Sequence, residues 1–255
     1  MLIEDASTEV FDLETELDAL ANRYRKAGGV GIQVLNMIGG QAEQLLNRLP
    51  GPIRANLDGA TEKALTLSMK AAHRSRGVIG DQPGWLTTTV TTAMGAAGGF
   101  GGLPSALAEL PVTTTILLRG IQTVAAEQGF DPAAENVQFD CIRVFGSAGP
   151  LDHDDGADMA FLTARMALRG SSLQSLIVKV APRLAHVLGQ KLAAQTVPVL
   201  GAMAGAATNY AYTSYYQDMA HVHFRLRRLA IEADLPQDFL IGELRERVAG
   251  EVAKS

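Results

Sequence analysis

A single cysteine, Cys141, excludes an internal disulfide and any thiolate metal cluster. Charge is scarce as well. Charged residues make up 19% of the 255, against roughly 25% in ordinary soluble domains. The net charge is only −5, and no long basic face exists outside Arg225–Arg228. Nucleic-acid affinity comes mainly from many Lys and Arg contacts to phosphate, so that class of partner is excluded. The start, "MLIEDASTEVFDLE", is acidic where a secretory leader is basic and then apolar. The expected location is therefore cytoplasmic, with attachment to the inner face of a membrane left open.

Nucleotide and nucleophile motifs are missing too. "GGFGGLP" lacks the G-x-x-x-x-G-K-[ST] spacing and any nearby lysine, and no G-x-S-x-G elbow occurs. "GSAGP" at 146–150 has neither the spacing nor the strand. Cys141, in "FDCIRVF", reads as a small buried hydrophobe.

What the chain does have is small apolar residues. Hydrophobic residues reach 47% with only 5% aromatic, and there are 26 glycines. Such composition favours helices packed close together. Ile3, Ala6, Val10, Leu13, Leu17, Leu20 and Tyr24 recur at helical spacing up to Gly28-Gly29. A second helix is expected over 30–49 and a third from Pro52. The stretch 74–85 reads as a loop, as does 147–158. Further helices are expected at 104–127, 132–145, 158–169, 172–195, from about 198 to 233, and after Pro236. No run of alternating strand residues appears. The fold class is all-α, a single compact multi-helix unit.

Residues 82–108 and 192–217 carry no charge. Each is long enough to cross a bilayer. Pro104, six glycines and many threonines interrupt the first, and Gln195, Asn209, Ser214 and four tyrosines the second. A close-packed helical hairpin fits better, with Gly98, Gly101, Gly201 and Gly205 as contact points, and it stays compatible with contact to lipid. Trp85, Phe100, Tyr215 and Tyr216 are then candidates for membrane or partner contact. Arg225 and Arg228 would follow as headgroup anchors.

Glu109 and Arg119 stand in apolar surroundings and are expected to pair, with Pro111 supplying a kink between them. The functional alternative is a proton-handling Glu109 in a dry pocket. Asp218, His221 and His223 cluster, but not at the i, i+4 histidine spacing of a zinc helix. No metal and no cofactor are expected. His223 reads as a partly buried histidine beside Phe224, and with Glu109 it is the remaining catalytic candidate.

Two blocks carry a resemblance. "GFGGLPSALAELPVTTTILLRGIQTVAAEQGFDP" at 99–132 and "VPVLGAMAGAATNYAYTSYYQDMAHVHFRLRRL" at 197–229 resemble the central and C-terminal signatures of the EcsC protein family. Gly98–Gly102, Glu109 with Pro111, Arg119 and Gly129–Asp131 match the first. Asn209, His223 and Arg225 match polar positions of the second, and Phe130 departs where Tyr or Val is common. The resemblance implies a bacterial setting beside membrane transport or secretion and carries no activity over. It divides the chain into N-terminal amphipathic helices at 1–75 packing on an EcsC-like helical domain at 76–255. The leading expectation is a non-enzymatic protein that associates with a membrane surface, a lipid or a membrane-protein partner. The alternatives are a hydrolase, metal-dependent or not, and a soluble carrier of an apolar ligand.

Overall fold

A computed structural model of the chain describes residues 12–27, 47, 49–76, 83–100, 102–146, 173–194 and 201–252. Among them are nine helices and no strand. They are α1 (Leu13–Lys26), α2 (Gly51–Ala55), α3 (Leu57–Arg76), α4 (Gly84–Phe100), α5 (Gly102–Glu127), α6 (Glu135–Phe145), α7 (Leu173–Ala194), α8 (Gly201–Glu232) and α9 (Gln237–Val252). The all-α class is as the composition requires. The expected helices at 30–49 and 158–169 and the loop at 147–158 lie wholly or almost wholly outside the described residues.

Local chemistry explains the ends. The Asp12 carboxylate accepts from the Glu14 amide at 3.2 Å and caps α1. Glu14 and Glu16 fill its first turn and Arg23, Arg25 and Lys26 its last, each matching the helix dipole. Leu17, Leu20, Ala21 and Tyr24 form its buried stripe. Gly129 takes φ +78°, the left-handed conformation that lets the chain turn sharply from α5 toward α6. Asp131 Oδ1 then accepts from the Ala133 amide at 2.8 Å.

The long helix α8 is the axis. It packs against α1, α4, α5, α6, α7 and α9. Tyr215, Tyr216, Met219, Val222, Phe224, Leu226 and Leu229 are all buried on it. Phe145 of α6 meets the Tyr216 ring at 4.8 Å between centroids. On the far side, α3 bridges α5 and α7.

The glycine stretch falls between two helices that pack on each other: α4 runs through Phe100 and α5 starts at Gly102. Gly84 and Trp85, expected in a loop, form the first turn of α4. The closest approach lies elsewhere, along the seam between α4 and α8. A methyl group built on Gly95 would overlap the Gly205 carbonyl oxygen and come within 2.7 Å of Asn209 Nδ2. Asn209 Nδ2 donates to the Thr91 carbonyl at 2.6 Å, and the Thr91 and Thr213 hydroxyls share a hydrogen bond of 2.7 Å. Gln217 Nε2 donates to the Gly84 carbonyl at 3.1 Å. Gly95, Thr91 and Gly84 thus meet Gly205, Asn209, Thr213 and Gln217 in antiparallel order.

The two kinds of helical glycine should respond oppositely to alanine. At Gly59 on α3 an added methyl meets nothing within 4 Å, so Gly59→Ala should stabilise by about 0.5–1 kcal/mol. Gly95→Ala strikes backbone that cannot give way and should destabilise by about 2 kcal/mol or more. Urea unfolding of both variants checks the pair; a stabilised Gly95→Ala would contradict the close crossing.

Candidate functional site

The turn at Gly129–Asp131 and the "HFRLRR" stretch of α8 converge on α6. Phe130 lies under the Arg227 guanidinium, 4.4 Å from Cζ to the ring centroid, and 5.9 Å from the Phe224 ring. Arg227 Nη1 donates to Asp140 Oδ2 at 2.7 Å. His223 Nε2 stands 3.4 Å from the same oxygen. Arg143 Nη1 reaches Asp140 Oδ1 at 3.4 Å, from the next turn of α6. His223 presents its ring edge-on to Phe224 at 5.0 Å. Asp140 is thus the hub of three basic side chains on two helices.

This cluster is sealed. His223 is 1% exposed, Arg143 3% and Asp140 5%, so no substrate can reach its carboxylate or imidazole. Burial pushes the Asp140 pKa up. The His223 charge and hydrogen bond, together with Arg227 and Arg143, outweigh it and hold the group at about 2. Among the described residues no three His, Cys, Asp or Glu side chains are placed to hold a metal ion. Sealed, ion-paired and hydrogen-bonded, the cluster ties α6 to α8.

The other candidate residues scatter. Tyr215 and Tyr216, expected at an interface, are 0% and 1% exposed and stand in the core. Their correction has a simple cause: at that level α8 packs against several helices, and these two rings lie on its covered faces. Arg225 pairs with Glu16 of α1 and with Glu232, both at 3.0 Å. Arg228 pairs with Glu232 at 2.8 Å. These two arginines are committed to internal carboxylates instead of standing ready for headgroups. Trp85 is where an anchor should be, 69% exposed. Gly205 lies in the α4–α8 seam, and its partner is Gly95. The side chain of Phe100, the surroundings of Gly98, Gly101 and Gly201, and the pairing of Glu109 with Arg119 lie outside the described residues. Arg119 itself is half-buried on α5.

His221 faces away from His223 and toward a cleft of about 50 Å³ between α4, α5 and α8. Its Nε2 lies 4.0 Å from Glu127 Oε2. Burial, followed by the Arg23 charge, lowers the His221 pKa to about 4. The imidazole is therefore neutral at neutral pH, and the contact to Glu127 is no ion pair there. Sequence spacing missed Glu127 and the pairing of Asp140 with Arg143 and Arg227. Asp140 and Arg143, three apart in an apolar helix, were the available sign of the latter.

Asp140 links the hub to pH. Its folded-state pKa lies below the usual 3.8, so its contribution is complete above that value and is lost as pH falls toward about 2. Urea unfolding should show wild-type stability falling by on the order of 2 kcal/mol across that window through this group. Asp140→Asn should cost about 3 kcal/mol at neutral pH, since it strands buried cations, and should flatten the acid-dependent loss. An unchanged slope in the variant would contradict the hub.

No curated protein and no solved structure matches the chain. Among protein families, the EcsC protein family matches residues 84–229, from the first residue of α4 to the last turn of α8. That span is more than half of the chain. It contains both halves of the close seam, the Asp140 hub and the Gly129 turn. The chain belongs to the EcsC protein family.

Proposed function

We propose that the protein is a non-enzymatic accessory protein that attaches to a membrane surface through the outer face of α4. The observation that carries this reading is an exposed helical face without charge. α4 holds no charged residue, and Trp85 (69%) and Val90 (42%) are exposed on it beside Thr89, Ala93 and Ala97. Its threonines hide their polarity. The hydroxyls of Thr88, Thr89, Thr91 and Thr92 donate to the carbonyls of Gly84, Trp85, Thr87 and Thr88 at 2.7–3.1 Å. Bonded back in this way, a threonine presents its methyl group and lowers the cost of leaving water.

Trp is the side chain best suited to the level of lipid headgroups, with an apolar ring and an N–H donor. Val112 on α5 (49% exposed) and Tyr210 on α8 (39% exposed) extend the apolar exposure on neighbouring helices. Among the described residues no helix is long and apolar enough to cross a membrane. Attachment therefore lies along the surface, in the manner of an interfacial helix. A cytoplasmic protein at the inner membrane surface, working beside transport or secretion machinery, is the role that agrees with this face. The hydrolase alternative draws no support from His223, which is sealed.

Co-sedimentation with vesicles, read together with the emission of Trp85, tests the proposal. Trp85 is the sole tryptophan, so the spectrum reports on α4 alone. Binding with a blue shift is expected, and Val90→Asp should weaken it about tenfold or more by placing a charge on the face. Absence of both sedimentation and shift would overturn the reading and turn attention to a protein partner for the same face.

A further inference from the structure

The cleft between α4, α5 and α8 adjoins the proposed membrane face, because Gly84, the residue before Trp85, lines it. Its walls are Gly84 and Thr87 from α4, Gly120, Thr123, Val124 and Glu127 from α5, and Gln217 with His221 from α8. We propose that this cleft is a binding site for a primary ammonium group, and that its source is the ethanolamine headgroup of a phospholipid. The proposal builds on the membrane reading above and names the lipid chemistry that the face selects.

Size and polarity both point that way. About 50 Å³ has room for an ammonium group together with the carbons next to it. Glu127 Oε2 and His221 Nε2 face each other across 4.0 Å. One ammonium nitrogen about 2.8 Å from each would bridge that gap with two of its three N–H donors. His221 can accept because burial keeps it neutral, which leaves a lone pair on one ring nitrogen. The Arg23 charge also acts on His221, and Asp218 partly offsets it from 3.9 Å.

Helix ends bear on the sign of the ligand. Glu127 is the last residue of α5, whose carbonyl end favours a cation, while the start of α4 at Gly84 favours an anion. Each end amounts to about half a charge, so the two offset. The full charge of the Glu127 carboxylate then decides for a cation. A quaternary choline nitrogen has no N–H to donate and is normally held by aromatic faces. Among the described residues no Phe, Tyr or Trp lines this cleft.

Gly120 supplies a clean variant. A methyl group there would sit 3.6 Å from Thr87 Cγ2 and 3.8 Å from Gln217 Nε2, ordinary contact that fills the cleft without a clash. Gly120→Ala should therefore fold normally and exclude the ligand, while Glu127→Gln removes the charge. Vesicle binding is compared between phosphatidylcholine alone and mixtures in which part of it is replaced by phosphatidylethanolamine. Wild type should bind the mixture about fivefold more tightly, and both variants should lose that increment while keeping their binding to phosphatidylcholine. Equal wild-type binding to the two vesicles, or an increment that survives in both variants, would overturn the inference and leave the membrane reading standing. If no vesicle binds at all, the membrane reading fails, and free ethanolamine titrated against the His221 ring resonances decides the site. A saturable shift that disappears in Gly120→Ala would support an ammonium site served by a soluble amine; no shift would overturn it.

Discussion

The structure depends on how closely α4 lies against α8. Gly95 and the Gly205 carbonyl leave no room for a single methyl group between them, and Asn209, Thr213 and Gln217 bond α4 along the same seam. Interior glycines cost a helix about 1 kcal/mol each. Here that cost is offset by an approach in which side-chain amides reach the opposite backbone directly. The seam also sets the outer face. Because the polar groups of α4 point inward or bond back along their own helix, what remains outside is methyl groups and one indole.

α8 must then serve two environments along one length. Toward α4 it offers small and amide side chains, on its other faces at the same level the core tyrosines, and toward its end the arginines. Arg227 is drawn inward to Asp140, whereas Arg225 and Arg228 stay with Glu16 and Glu232. Arg247 of α9 makes the matching clasp on α1 through Glu14 and Asp18. Partly exposed pairs of this kind contribute little individually. The buried hub differs, because removing one member strands the others away from water.

Helical periodicity made most of this architecture legible, since apolar residues at three and four spacing mark a buried face whatever it packs against. The α5, α6, α7 and α9 segments fall close to their expected limits. Gly205 was legible as a contact point from its spacing, whereas Gly95 was not, because only the partner helix decides which glycine it crosses. Trp85 stands exposed at the start of the uncharged run. Tyr215 and Tyr216 were misplaced because an uncharged aromatic segment looks the same in a core and at an interface. The Asp140 hub joins residues 87 positions apart, beyond the reach of any local pattern.

On the proposed function, α4 works from its outer face while its seam with α8 stays closed. Cysteines replacing Thr91 and Thr213, whose hydroxyls lie 2.7 Å apart, can lock that seam with a disulfide. The decisive measurement is vesicle affinity of this doubly substituted protein, oxidised against reduced. Equal affinity in the two forms is predicted, because the seam need not open for the outer face to bind. Loss of binding on oxidation, restored by reduction, would mean that α4 must leave α8 to reach the membrane, and would contradict the account.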